Sequence, residues 1–548
     1  MRALGILSLS LSLCLAAEGV AQGGGCHLGT FETPFNHGLQ ASKNLEATHM
    51  TLIPRGPYKG WVLVWDYGPR NNGASLDVTV WTLFDPATKT FKPKYTLQHG
   101  PGEGDLGCSG HAWTEDGRLF VAGGFKKIVG SAITGSRLAF VFDPMKPLGN
   151  AMWTQQPNLE RDRWYPTVSL IADGRLLVLG GDLDATLPKA RNTYEAFVPP
   201  AGAGQGTWDK VNQPGAWNHG KQVFEGPPYT GGSLDAYPRA HLVGNGRLFL
   251  SGMNRQSSWR VHSLTSQTWP IMGDSWSVRY YGASVVCPNS DPTHTNSVMK
   301  IGGSTNSSDF RLGALETVQM SKASQAGAQC WPSGYYWTDT VCDTVASMSN
   351  KRVHHNAVLA PDAAILVFGG ENATGPVLAV ERYQGGGWTT LASASSVRDM
   401  HSTAVLLPDG KVLVAGGENR SWDYEIYDPP YLTCGAPRPT NVVAPGDIYY
   451  GQEFTVSYTL AAGASLAKVA LMRPGSVTHA FDSDQRDLEL AIVGYSLPPS
   501  QSVLVLPPAG APGSSADPDF SSGPPGFYML FLVTDAGVPS VAQWVRLR

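Results

Sequence analysis

An all-β fold is predicted for this chain by three observations. Short apolar runs rich in Val, Leu and Phe recur throughout, while amphipathic runs at helical spacing are hard to find. The apolar runs are bounded by Asp-Gly and Asn-Gly turns. Glycine and proline are abundant (63 and 40 residues) and only 15% of residues are charged, as suits strands joined by tight turns.

The runs are organised as a repeat. Six end in glycine: Gly123 (LFVAGG), Gly180 (LLVLGG), Gly252 (LFLSG), Gly302 (VMKIGG), Gly369 (ILVFGG) and Gly416 (VLVAGG). Turns such as Asp116-Gly117, Asp173-Gly174, Asn245-Gly246 and Asp409-Gly410 precede the glycine-ending strand, so each unit contains a β-hairpin. Spacings of roughly 50 to 70 residues leave room for two more strands per unit, the size of a kelch-type propeller blade with loop insertions. WVLVWDYG at 61 to 68 reads as a degenerate further copy, which makes seven blades. Beyond about residue 435 the glycine signal stops. Alternating strands at sandwich spacing then predict an immunoglobulin-like domain over 436–548, after a propeller over 22–435.

The first 21 residues have a basic start, an apolar stretch and small residues at its end, the pattern of a secretory signal peptide too short to span a bilayer comfortably. Its removal takes Cys14 away. In an oxidising compartment the remaining cysteines are expected to pair, with Cys330 and Cys342 the foremost pair. The net charge of −4 and the lack of a basic cluster interleaved with aromatics argue against nucleic acid and membrane surfaces as partners. A monomer is expected.

Fifteen positions before five of the six glycines stand Cys108, Tyr165, Tyr237, His354 and His401. The innermost strands of a propeller run along a central channel, so side chains at one register face one end of its axis. Two tyrosines, two histidines and a cysteine at one register predict a metal site, and imidazole with phenol suits copper(II).

The segments LGCSGHAWTEDGRLFVAGG, RDRWYPTVSLIADGRLLVLGG, VRDMHSTAVLLPDGKVLVAGG and GSVTHAFDSDQR strongly resemble, in the same order, those of the copper radical oxidases, meaning galactose oxidase and glyoxal oxidase. The resemblance runs from about residue 100 to the C-terminus. It implies a seven-bladed propeller whose C-terminal domain sends one loop back through the axis. It also implies a thioether between Cys108 and Tyr165, the modified tyrosine binding copper and holding a radical, with His401 and His479 as imidazole ligands.

The chain departs from that family at Met400-His401, where family members have Tyr-His and the tyrosine is an axial ligand thought to accept the substrate proton. A thioether sulfur is a weak ligand without useful proton affinity, so Met400 is at most a long axial contact to copper. His354, at the metal-facing register of the neighbouring blade, is the candidate replacement base, with Tyr237 second. Leu183 stands where galactose oxidase has a tryptophan stacked over the thioether, so that shield is expected to be absent. Arg239 is a candidate for gripping a polar substrate. Asp399, Asp482 and Asp484 read as loop carboxylates, and Asn306, Asn372 and Asn419 as glycosylation tripeptides relevant only in a glycosylating host. The expected function is a secreted copper oxidase converting an aldehyde or primary alcohol with O2, giving hydrogen peroxide. The alternatives are a non-catalytic propeller binding glycan or protein with a relic copper site, and a copper protein without radical chemistry.

Overall fold

The apolar runs become strands buried on both faces. Val62–Asp66, Leu119–Ala122, Leu176–Leu179, Ile365–Phe368 and Val412–Ala415 are buried along their whole length, which is why they read as continuous hydrophobic runs rather than alternating ones. The structure is a computed structural model that describes residues 26–36, 45–129, 132–181, 194–202, 204–209, 236–243, 247–251, 258–260, 271–273, 279–288, 297–306, 308–322, 345–418, 422–496, 501–510 and 523–548. Residues 1–21, Leu183, Cys330, Cys342 and Asn419 lie outside them. The described residues are β apart from short 3-10 turns and the four-residue helix Pro430–Thr433, so the all-β class holds.

Up to residue 428 the described residues form antiparallel sheets of three or more strands, and all but the sheet of Arg70–Asn71, Ala74–Ser75, Phe125–Val129 and Ala132–Gly135 contain a four-residue buried strand that opens a hairpin. In chain order these are His49–Leu52, Gly110–Trp113, Thr167–Leu170, Ala240–Val243, Ala283–Val286, Asn356–Leu359 and Thr403–Leu406. From Gly110–Trp113 onward each touches the next, and Thr403–Leu406 touches His49–Leu52. The N-terminal strand Thr30–Phe31 pairs with Glu425–Asp428, so both ends of this region share one sheet.

A conformational signature marks each entrance. The residue two or three positions before each opening strand is in the left-handed region: Ala47 (φ 54°), Cys108 (60°), Tyr165 (61°), Tyr237 (48°), Tyr281 (50°), His354 (61°) and His401 (67°). For a residue with a Cβ this costs roughly 1–2 kcal/mol, so the surroundings must enforce it. At Tyr165, Tyr281, His354 and His401 buried arginines do so. Arg163, Arg279, Arg352 and Arg398 donate to the carbonyls of Gly180, Gly302, Gly369 and Gly416, the first glycine of each following turn. Three of them also meet a carboxylate on the third strand, at Glu195, Glu381 and Glu425. That carboxylate in turn accepts a backbone N–H from the incoming loop.

Residues after 435 build an eight-stranded array in which the long strand Asp487–Ser496 pairs with Leu466–Met472 on one side and Ser502–Leu506 on the other. It has its own core of Val456, Leu471, Leu488, Val503 and Leu530. Phe454–Thr459 alternates buried and exposed, with one face to solvent. One hairpin leaves this array: Ser476–Thr478 pairs antiparallel with His49–Leu52 and with Phe481–Asp482, and touches Gly110–Trp113 and Thr403–Leu406.

Because Arg352 and Glu381 are fully buried, Glu381→Ala would strand the guanidinium, and the unfolding free energy should fall by about 3–5 kcal/mol. Denaturant titration checks this. A fall below about 1 kcal/mol, the worth of an exposed pair, would show that the clamp does not hold this turn.

Candidate metal centre

The left-handed entrances bring chemistry together. Backbone bonds link neighbouring ones: Tyr165 N–H donates to Cys108 O (3.1 Å), Tyr237 N–H to Tyr165 O (2.6 Å) and His354 N–H to Tyr281 O (3.0 Å). From the C-terminal hairpin comes His479, also left-handed at φ 48°. The ligand atoms of Cys108, His401 and His479 all lie within 4.8 Å of one another. Tyr165 Oη is 3.1 Å from His401 Nε2, and Cys108 Sγ is 3.6 Å from His479 Nε2.

Hydrogen bonding settles the tautomer of His479. Thr478 Oγ1 donates its single proton to Thr48 O (3.0 Å) and therefore accepts from His479 Nδ1–H (2.6 Å). The Nε2 lone pair is left facing the group. Burial, with the neighbouring His401, holds His479 well below the usual imidazole range, so it is neutral and able to ligate. His401 turns Nε2 to Tyr165 and Nδ1 toward the Glu418 carboxylate at 3.6 Å, the arrangement that orients a metal-binding imidazole. A second chain fixes Cys108: its N–H donates to His49 Nε2 (2.9 Å), and His49 Nδ1 meets His111 Nε2 (3.1 Å). Two imidazole nitrogens, a phenol oxygen and one sulfur form a donor set that fits copper(II).

Tyr165 is 2% exposed and lies between two rings. Trp164 stacks on it at 3.8 Å and 18°, and Tyr237 at 4.7 Å and 26°. The expectation of an unshielded ring is thereby corrected: an indole covers Tyr165, supplied by the preceding residue rather than from the position of Leu183. Burial holds the Tyr165 phenol well above its ordinary range.

Other expected residues have different surroundings. Tyr237 donates its hydroxyl to Ser109 O (3.1 Å) and packs on the His479 ring. His354 packs against Tyr281 with the rings tilted at 51°, its Nδ1 is 3.0 Å from Glu371, and its buried Nε2 has no hydrogen-bond partner. It is not in the close group of ligand atoms. Met400 is partly buried and its carbonyl accepts Glu418 N–H. Arg239 is not a substrate grip. It is 2% exposed and donates to the carbonyls of Tyr237, Gly282 and His479, so it tethers the hairpin to the sheets. Asp399 accepts Glu418 N–H, and Asp484 accepts Trp113 N–H. Sequence reasoning missed Tyr67, whose hydroxyl lies against Cys108 Sγ. Its signal was Asp66-Tyr67 standing where other repeats have a glycine pair.

An open cavity of about 440 Å3 reaches this group and is lined by Glu46, Asp66, Tyr67, His401 and Glu418.

Two family models divide the chain between them: the one described as glyoxal oxidase N-terminus matches residues 70–434, and the one described as galactose oxidase-like, early set domain matches 438–547. The chain belongs to the glyoxal oxidase and galactose oxidase family. It is 26% identical over 479 residues to an aldehyde oxidase GLOX of Vitis pseudoreticulata, covering 81% of this chain and 82% of that one. A galactose oxidase of Gibberella zeae is 24% identical over 531 residues, covering 90% and 68%. A solved fungal alcohol oxidase in complex with copper shares the fold, with a TM-score of 0.71 at 22% identity over 95% of this chain and 99% of that one. Among the described residues no helix is long and apolar enough to cross a membrane.

The hairpin carrying His479 is tied by Asp482, whose carboxylate accepts the N–H groups of Ser476, Asp484 and Gln485. Burial raises Asp482 to about 6 despite these bonds. Between about pH 4 and 6 the folded chain therefore holds a proton that the unfolded chain releases, and the stability this confers is lost as pH rises through 6. The loss is on the order of 3 kcal/mol. Asp482→Asn keeps the acceptor and removes the ionisation, so its stability relative to wild type should rise from pH 4 to pH 7. A difference independent of pH, measured by thermal unfolding, would contradict this.

Proposed function

We propose that this protein is a secreted copper radical oxidase that oxidises an aldehyde or primary alcohol with O2 and releases hydrogen peroxide. In this reading residues 1–21 are a signal peptide, 22–435 a seven-bladed kelch-type propeller and 436–548 an immunoglobulin-like domain. Tyr165, His401 and His479 bind copper, with Met400 at most a distant axial contact. Cys108 is joined to Tyr165 by a thioether.

The observation that carries the reading is the convergence of Cys108, Tyr165, His401 and His479, drawn from four separate stretches, onto one group of ligand atoms. Copper bound there would supply a one-electron couple, which with one electron held by Tyr165 accounts for a two-electron oxidation at a single metal.

The residues divide the remaining work. Trp164 and Tyr237 keep water from both faces of the Tyr165 ring, which favours a persistent radical. Linking Cys108 to Tyr165 replaces the S–H and a ring C–H beside the hydroxyl with an S–C bond; the two electrons and two protons removed go to O2. Substrate enters the cavity beside Tyr67 and His401, where Glu46, Asp66 and Glu418 favour an uncharged alcohol or aldehyde over an anion. The proton acceptor assigned here is His354, whose buried Nε2 has no hydrogen-bond partner.

After copper loading in air, intact mass should fall by two hydrogens and Cys108 should resist alkylation under denaturing conditions. A coupled peroxidase assay should show peroxide release from small aldehydes and primary alcohols, abolished in Tyr165→Phe. Copper binding with a Cys108 thiol that still alkylates would sink the radical assignment. His354→Ala should retain copper and lose about 100-fold in turnover, and unchanged turnover would remove His354 from the mechanism.

A further inference from the structure

Tyr67 stands where the repeat has no side chain elsewhere. In five other repeats the second hairpin strand ends in a pair of left-handed glycines: Gly123-Gly124, Gly180-Gly181, Gly302-Gly303, Gly369-Gly370 and Gly416-Gly417. In the hairpin of Val62–Asp66 the equivalent positions are Asp66 and Tyr67, so among the described residues this sheet alone projects a large side chain from this turn.

Three sets of contacts fix where that side chain goes. Asp66, 8% exposed, accepts Thr48 Oγ1–H (2.7 Å), Glu46 N–H (3.1 Å) and Tyr67 N–H (2.7 Å), which locks the turn. The ring meets Phe125 edge to face at 6.2 Å and His401 at 5.9 Å. The neighbouring residue is Gly107, and a Cβ there would come within 2.3 Å of Tyr67 Cδ1, so the residue before Cys108 has to be glycine for the phenol to enter. The hydroxyl then lies against Cys108 Sγ, itself within 4.8 Å of the ligand nitrogens of His401 and His479. Tyr67 also lines the cavity, so this phenol sits on the open side of the group, whereas Tyr165 is enclosed.

We infer that Tyr67 supplies a second phenol oxygen to the copper site of Tyr165, His401 and His479, doing from a different sheet the metal-binding part of what a tyrosine before His401 does in similar oxidases, with proton acceptance left to His354. The inference rests on the copper reading above. A phenol on the cavity side presents an oxygen to the metal and to an entering hydroxyl at once, which a methionine sulfur does not. The buried phenol and the half-buried one also have separate tasks: Tyr165 is packed between rings, and Tyr67 is held at its base by Asp66 and Gly107 and lines the cavity.

The test compares copper(II)-loaded wild type, Tyr67→Phe and the double variant Tyr67→Phe/Met400→Tyr, each mildly reduced to remove any tyrosyl radical. Three quantities are read: phenolate-to-copper(II) absorption, copper affinity by chelator competition, and the residue bonded to Cys108 by peptide mapping. Tyr67→Phe keeps the packed ring, and thermal unfolding of the metal-free proteins verifies that it folds as wild type does. Expected are a partial loss of the absorption, affinity about tenfold weaker, an intact Cys108–Tyr165 link, and recovery of the absorption in the double variant. Unchanged absorption and affinity in Tyr67→Phe, with copper bound and the link formed in wild type, overturns the Tyr67 assignment alone. A Cys108–Tyr67 link overturns it too. Failure of wild type to bind copper overturns both this inference and the reading beneath it.

Discussion

The structure depends on a backbone constraint: at each entrance to an opening strand the chain adopts a left-handed turn at a residue that is not glycine. A left-handed residue aims its side chain where an extended one would not, and doing so at equivalent places makes separate sheets address a common region. Cys108, Tyr165 and His401 reach the ligand group in this way, and His479 reaches it from a hairpin that repeats the same conformation. The turns are unfavourable in themselves. At Tyr165, Tyr281, His354 and His401 they persist because Arg163, Arg279, Arg352 and Arg398 pin the glycine carbonyl beneath, three of them paired with a glutamate, which is fully buried at Glu381 and Glu425.

The same scaffold governs the protonation of the site. Taking imidazoles out of water favours their neutral forms, so His49 and His479 are held well below the ordinary range and His111 at about 3. Neutral rings still need their lone pairs aimed. Thr478 does this for His479, and Glu418 for His401, each contact made on the side away from Tyr165 and Cys108. Arg239 closes the assembly by holding the carbonyl of His479 itself. A metal group built from two parts of one chain thus has its second part tethered by a strand pairing, an arginine and a capped turn.

Much of this was legible in sequence, for reasons that can be traced residue by residue. Where hairpin length is constant, counting back fifteen residues from a glycine finds Cys108, Tyr165, Tyr237, His354 and His401, all of which prove to be left-handed entrances. The count fails at Gly302 because the stretch PNSDPTHTNS lengthens that hairpin, and Tyr281 is the entrance instead. Ala47 was silent because its side chain carries no chemistry. His479 follows no repeat and came only from resemblance. Trp164 was missed because adjacent residues in extended chain point apart, whereas the left-handed turn folds its ring onto Tyr165. Tyr67 was missed because the glycine pair was sought and its replacement was not weighed.

The most direct test of the account is anomalous diffraction at the copper edge from crystals of the copper-loaded protein. The account predicts a single strong peak within bonding distance of Tyr165 Oη, His401 Nε2 and His479 Nε2 together. A peak bound elsewhere, or one that touches the histidines while Tyr165 stands apart, would contradict it.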